Sequence, residues 1–248
     1  GIYYLKNSKN DLANKYFLRA NSEKSISLLE SFILNSLSIW SDVNSKSLTE
    51  SVTALNQIDD RLRNFKRIQK VFLNCYFDTN NPENLFDELV SDQRTDFSRY
   101  SFFYANYLYN TNKEDKAIKV INDSLDENPR NVLLNQYKLD LKSQNKNFIF
   151  DCKNEQHVIA EILYISANVI SSQFIYPLSN FYLNLSKFLN KDFLTYDSLI
   201  AENFYNLKDF KNAKKIYKRL LKNGEAFKWH SNKQISKILI QEGDEKGS

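Results

Sequence analysis

The sequence predicts an all-α protein, an α-solenoid of stacked antiparallel helical hairpins. Two observations support this fold class. The 4 Gly and 3 Pro in 248 residues leave little turn chemistry for β-hairpins. In addition, a small residue is followed twelve positions later by a second small residue at four places, and large apolar residues repeat in step. These pairs are Gly1 and Ala13, Ala105 and Ala117, Ala167 and Ser179, and Ala201 and Ala213.

The clearest hairpin covers residues 98–130. Aromatic and apolar residues from Phe103 to Leu108 recur at helical spacing, and a polar turn follows at 110–113. A second amphipathic stretch then runs from Ala117 to Leu125, and Pro129 closes the unit because it lacks an N–H and has a fixed φ. We therefore expect a repeat of about 34 residues.

The same layout divides the chain into one continuous helical array over residues 1–248, with no linker that would indicate a second domain. The first residues are expected to be the second half of a repeat cut at a missing N-terminus. Single helices are expected near 23–41, 48–58, 60–76, 82–90, 132–142 and 227–241. The predicted units are a half repeat at 1–21, degenerate hairpins at 22–96, a repeat at 97–130, an abbreviated repeat at 131–159, repeats at 160–193 and 194–226, and a capping helix with a tail at 227–248.

Composition restricts the class of protein. A hydrophobic content of 42% is enough for a buried core, and a net charge of +4 does not favour general nucleic-acid binding. No apolar run reaches the length of a membrane span, and no signal segment opens the chain. The compartment is therefore open: cytoplasmic, or periplasmic if a signal peptide has been lost with the N-terminus.

The residues that could carry chemistry are sparse. Cys75 and Cys152 lie far apart without a CxxC or a nearby histidine, so we expect two buried apolar side chains. His157 and His230 lack a neighbouring nucleophile motif. Asp60 is expected to cap the helix that follows it. With no phosphate-binding loop or metal spacing, the sequence predicts a protein that is not an enzyme and has neither cofactor nor metal.

The repeated pattern resembles the tetratricopeptide repeat (TPR) family, over roughly half of the chain. The tryptophan of the family's first helix is absent, and one repeat keeps the junction proline. More narrowly, the run is similar to TPR proteins of AT-rich alphaproteobacteria. The matching residues are Gly1, Tyr4, Ala13, Phe17 and Ala20, then Tyr104, Ala105, Leu108, Ala117, Ile121, Ser124 and Pro129, and then Ile200, Ala201, Phe204, Ala213 and Tyr217.

The resemblance implies a right-handed superhelix whose first helices line a concave groove that binds a partner protein or peptide. Tyrosine offers contact area at low entropic cost, and asparagine can pair with an extended backbone. Packing against neighbouring repeats explains the tyrosines equally well. The residues expected to face this groove are Arg99, Phe102, Asn106, Tyr109, Glu161, Tyr164, Asn168, Ser171, Ser198, Glu202 and Tyr205.

A second candidate surface is a basic face near the C-terminus. A solvated outer face explains it most simply, and an acidic protein, anionic lipid or RNA could also dock there. Its residues are Lys208, Lys211, Lys215, Lys218, Arg219 and Lys222.

Three functions remain open from the sequence. The first is a scaffold or adaptor that binds a partner protein. The second is a helical-repeat RNA binder, which would need similar polar pairs in every hairpin. The third is a docking region of a larger enzyme. Self-association through the aromatic surface is also possible.

Overall fold

The computed structural model describes residues 1–22, 27–79, 82–143 and 149–243. Within these ranges the chain is all-helical, without a β-strand, as the sequence predicts. Two 3₁₀ turns cover Val43–Ser45 and Asp60–Leu62. The helices are α1 Ile2–Lys6, α2 Asn10–Asn21, α3 Leu28–Ser41, α4 Leu48–Asn56, α5 Arg63–Tyr76, α6 Pro82–Val90, α7 Ser98–Asn110, α8 Glu114–Glu127, α9 Val132–Lys142, α10 Glu155–Ser172, α11 Tyr176–Leu189, α12 Thr195–Asn206, α13 Phe210–Leu220 and α14 Glu225–Gln241.

The ends of several helices follow local capping chemistry. Helix α3 begins after a capping box in which Ser27 and Glu30 satisfy each other's backbone N–H groups. Residues 23–26, where this helix was expected to begin, lie outside the described residues. The predicted cap at Asp60 is wrong: the Asp59 carboxylate accepts the Arg61 N–H at 2.9 Å, while Asp60 pairs with Lys66 at 2.8 Å.

One turn geometry recurs in four hairpins, α1–α2, α7–α8, α10–α11 and α12–α13. A residue with φ between 57° and 63° lies seven positions after the first small residue of each hairpin. The next N–H donates to the carbonyl five residues earlier, for example from Lys113 to Leu108 at 2.9 Å and from Asp209 to Phe204 at 2.9 Å. This bond closes a helix in a Schellman motif. The left-handed residues are Ser8, Asn112, Phe174 and Lys208.

The small residues mark the close approach of paired helices. Each alanine of the four pairs is fully buried, and Ser179 Oγ donates to the Ala167 carbonyl at 2.8 Å, so these two positions are in direct contact. A Cβ at Gly1 would overlap the ring of Phe17. The periodic small residues therefore have the packing role that the sequence predicts.

Packing also joins helices that are distant in sequence. Besides the neighbouring pairs, α3 packs against α10, α1 against α11 and α9 against α14. A larger apolar core extends from α1 to α10 and includes Phe193 and Tyr196, and a smaller core joins α10 to α14. These contacts go beyond the nearest-neighbour packing of a simple array.

A disulfide bond joins Cys75, at the end of α5, to Cys152, in the segment before α10, with 6.0 Å between the two Cα atoms. The expectation of two separate buried thiols is therefore wrong. Helices α6–α9 leave the end of α5 and return to it, so residues 77 apart in sequence meet in space. Buried Phe150 fixes this return by packing against Phe72 and Phe103.

None of the described helices is both long and apolar enough to cross a bilayer.

Candidate functional site

The predicted groove residues separate into a buried set and an open set. In the buried set, Arg99 of α7 donates from Nε and Nη2 to the two carboxylate oxygens of Glu161 on α10, each at 2.7 Å. Its Nη1 also donates to Thr195 Oγ1 at 3.3 Å. The Glu161 side chain has 0% exposure. Side chains of α7, α10 and α12 therefore meet at one ion pair inside the molecule.

Aromatic rings surround this pair. The Arg99 guanidinium carbon lies 3.7 Å from the centroid of the Tyr164 ring and 5.0 Å from that of Phe193. Such cation–π contacts are strengthened when water is excluded. Burial raises the pKa of the Glu161 carboxyl, and the Arg99 charge opposes that rise. The two side chains depend on each other because either one alone would be a buried, uncompensated charge.

Phe102 and Asn106 are also internal. The Phe102 ring is buried, with its centroid 5.3 Å from that of Phe193 and 4.8 Å from that of Tyr137. Asn106 Nδ2 donates to the Phe150 carbonyl at 2.9 Å. The expectation that Phe102, Asn106 and Glu161 face an open groove is therefore wrong. Tyr137 and Phe193 cover Phe102, the Phe150 segment covers Asn106, and Arg99 covers Glu161.

Tyr109, at the other end of α7, is half-buried against the larger core. It lies on the same helix as Arg99, Phe102 and Asn106 and is not part of the exposed surface on α10 and α12.

The open set lies on α10 and α12. Asn168 and Glu202 are exposed and occupy equivalent positions 34 residues apart. The Tyr205 hydroxyl accepts a hydrogen bond from Gln241 Nε2 of α14 at 2.7 Å. Partial burial raises the pKa of Glu202, while Lys237 of α14 lowers it. After the sequence prediction, we call this surface the open groove; its residues are Asn168, Ser171, Glu202, Tyr205, Lys237 and Gln241. Ser198 lies on the same helix as Glu202, but its hydroxyl oxygen is buried.

A buried amide holds the base of the open groove. Asn203 Nδ2 donates to Ser179 Oγ at 2.9 Å and to Asn180 Oδ1 at 2.8 Å, both on α11. Its Oδ1 accepts from Ser171 Oγ of α10 at 2.6 Å. One fully buried side chain of α12 thus ties three helices together, which fixes α10 and α12 relative to each other.

Lys237 and Gln241 were not predicted, because the last helix was assigned the role of a cap. A signal for them was present in the sequence. A further step of 34 residues from Glu202 falls inside α14. This helix therefore lies where the first helix of the next hairpin would follow α10 and α12.

A second concave surface, which the sequence did not predict, lies between α9 and α14. It encloses about 490 Å³ and is lined by Val132, Leu139 and the exposed indole of Trp229. Lys138 and Lys142 lie at its edge. An exposed tryptophan beside a depression is a common anchor in protein interfaces.

The structure separates Arg219 from the five lysines of the predicted basic face. Arg219 donates to Asp197 Oδ1 at 3.3 Å, an oxygen that Lys187 also contacts at 2.7 Å. The five lysines of the face are exposed and form no ion pair with the described residues. They are Lys208, Lys211, Lys215, Lys218 and Lys222.

The histidines occupy ordinary structural positions. His157 Nδ1 accepts the Asp151 N–H at 3.0 Å, and burial lowers the pKa of the imidazole. The centroid of the His230 ring lies 6.1 Å from the centroid of the Tyr217 ring. Among the described residues, no cluster of His, Cys, Asp and Glu could hold a metal ion.

No protein-family model matches the sequence, and no curated protein matches it.

Proposed function

We propose that this chain is a non-enzymatic adaptor of the TPR type, which binds an extended segment of a partner protein in the open groove. The observation that carries the proposal is the row of polar and aromatic side chains that α10, α12 and α14 expose above the base fixed by Asn203. Four hairpins with one turn geometry and buried small residues support the TPR assignment.

The groove side chains suit an extended peptide. Asn168 can donate and accept hydrogen bonds with a peptide backbone, and the Tyr205 ring supplies contact area at low entropic cost. Glu202 and Lys237 place opposite charges on facing helices, which would select the direction and charge of the bound segment. Because the base is preformed, little binding energy is lost in ordering it.

Repeat-by-repeat RNA recognition has weaker support. Such a reader needs similar polar side chains at equivalent positions of successive hairpins. The equivalent positions here carry buried Asn106, exposed Asn168 and exposed Glu202. These three side chains do not make a regular code for bases.

Site-specific photo-crosslinking tests the proposal. A photoreactive amino acid is placed at Asn168 or Glu202, at Lys119 on the exposed side of α8 as a matched control, and at Trp229 to probe the second depression. We expect one partner polypeptide to be crosslinked from Asn168 and from Glu202 and not from Lys119. Tyr205→Ala should then weaken binding of the crosslinked segment by about 2 kcal/mol, the loss of a typical anchor residue.

Two results would reject the groove. Crosslinking only from Trp229 would move the site to the depression between α9 and α14. Equal binding of the crosslinked segment to Tyr205→Ala and to wild type would reject the groove as the source of affinity, because Tyr205 is its proposed anchor. Crosslinks to RNA at any of these positions would replace the protein partner by a nucleic acid.

A further inference from the structure

The outward side of α11 carries an unusual apolar stripe. Phe174 is 77% exposed and Phe181 is 57% exposed, and Ile175, Leu178 and Phe188 are each between 43% and 46% exposed. Leu178, Phe181 and Phe188 follow one another at spacings of three and seven residues, which places them on one face of α11. Exposed apolar patches of this kind on a soluble surface indicate an interaction site.

The backbone conformation at Phe174 is unfavourable for a large side chain. Its φ of 63° is the left-handed conformation, which disfavours bulky side chains. The equivalent turn residues of the other three hairpins are Ser8, Asn112 and Lys208, none of them aromatic. Apart from an edge contact with the Tyr176 ring, the Phe174 side chain is in solvent, so it is available for contact with another surface.

The next hairpin presents lysines where α11 presents apolar side chains. A step of 34 residues leads from Phe174 to Lys208, from Phe181 to Lys215 and from Phe188 to Lys222. Neither α11 nor α13 contains an acidic residue. The two helices therefore carry an aromatic stripe and a basic stripe at matching heights.

The two helices that carry the stripes meet at one carboxylate and share one core. Lys187 of α11 and Arg219 of α13 contact the same oxygen of Asp197, at 2.7 and 3.3 Å. Leu183 of α11 and Ile216 of α13 share the smaller apolar core beneath them. Phe181 and Phe188 of α11 and Lys215 and Lys218 of α13 remain exposed outside this shared core.

We propose that this surface docks on a bilayer containing anionic lipids. Phenylalanine and leucine side chains of α11 would enter the boundary between headgroups and acyl chains, and the lysines of α13 would lie against the phosphates. A soluble polyanion needs only the lysines and leaves the apolar stripe in water. A bilayer surface satisfies both stripes at once and is extended enough to contact both helices.

Vesicle sedimentation tests the proposal with the full chain. Wild type is mixed with phosphatidylcholine vesicles that contain or lack phosphatidylglycerol, at low and high salt. The basic variant is Lys211→Gln/Lys215→Gln/Lys218→Gln, and the apolar variant is Leu178→Gln/Phe181→Gln. The matched control, Lys15→Gln/Lys119→Gln/Lys142→Gln, removes three exposed lysines from α2, α8 and α9.

Wild type should bind the anionic vesicles at low salt and release them at high salt. The basic variant should bind roughly a hundredfold more weakly, from the usual contribution of each lysine near an anionic surface. The apolar variant should also lose binding, whereas the control should retain most of it. Wild type that stays in solution with anionic vesicles, or a control that loses as much as the basic variant, would overturn the proposal.

A second measurement needs no variant. Acetylation of wild-type lysines is mapped with and without anionic vesicles, and Lys211, Lys215 and Lys218 should be protected while Lys119 is not. Uniform modification would reject the surface. If single-stranded RNA protects the same lysines and the apolar variant binds RNA as wild type does, while vesicles protect none, the partner is a nucleic acid and the lipid proposal fails.

Discussion

Replacing Arg99 by methionine should destabilise the protein strongly, because the Glu161 carboxylate would be left buried without its partner. Glu161 has 0% exposure and forms two 2.7 Å hydrogen bonds with the guanidinium. Breaking one side of a buried ion pair costs about 3–5 kcal/mol. For a chain of this length, such a loss lowers the melting temperature by roughly 10 °C.

The double variant Arg99→Met/Glu161→Leu separates the charge effect from packing. It removes both charges and fills the site with apolar atoms, so we expect its free energy of unfolding to return to within about 1–2 kcal/mol of wild type. Arg61→Met is the matched control, since the Arg61–Asp59 pair is 73% and 40% exposed. Its cost should be at most about 1 kcal/mol.

Urea unfolding followed by circular dichroism measures all four proteins under the same conditions. The interpretation fails if Arg99→Met costs no more than Arg61→Met. In that case Glu161 would be solvated, and the buried contact between Arg99 of α7 and Glu161 of α10 would not exist in solution.

Three further predictions concern the disulfide, the helix crossing and pH. Reduction of Cys75–Cys152 should lower the free energy of unfolding by about 4 kcal/mol, as a closed loop of 77 residues implies; Cys75→Ala/Cys152→Ala should no longer respond to reductant. Ala201→Leu should overpack its fully buried site and cost about 1–3 kcal/mol in urea unfolding, and an unchanged melting temperature would contradict the register. Burial lowers the pKa of His157 below its usual value of about 6.5. The contribution of His157 to the free energy of unfolding is therefore present above that pH and is lost as the pH falls below it. His157→Gln should reduce the dependence of this free energy on pH, and an unchanged dependence would assign the effect to other groups.

Periodicity was sufficient to predict the helices and their pairing. Helix α9 spans Val132–Lys142 and α6 spans Pro82–Val90, the ranges expected from the sequence. The contact between Ser179 and Ala167 follows from two small residues at one spacing. These features are local, since helix formation and hairpin packing depend on residues within about one repeat.

Contacts between distant segments could not be predicted in the same way. The pattern placed Phe102 and Glu161 on the side of their helices that faces a groove, but it could not reveal that Phe193 and Arg99 cover these two side chains. The disulfide was missed for the same reason, because Cys75 and Cys152 meet only after α6–α9 return. Phe174 was missed because an aromatic residue is not a signal of a left-handed turn.

The pairing of α3 with α10 and of α9 with α14 completes a closed circuit of helix contacts through α4–α9 and α10–α14. An open repeat array has two ends from which unfolding can spread one unit at a time. A closed circuit has no such end from which unfolding can start, so its helices fold and unfold together. We therefore expect a single calorimetric transition whose measured enthalpy equals the van't Hoff value. Deleting α14 would then cost far more than one repeat's share of stability, because it would open the whole circuit.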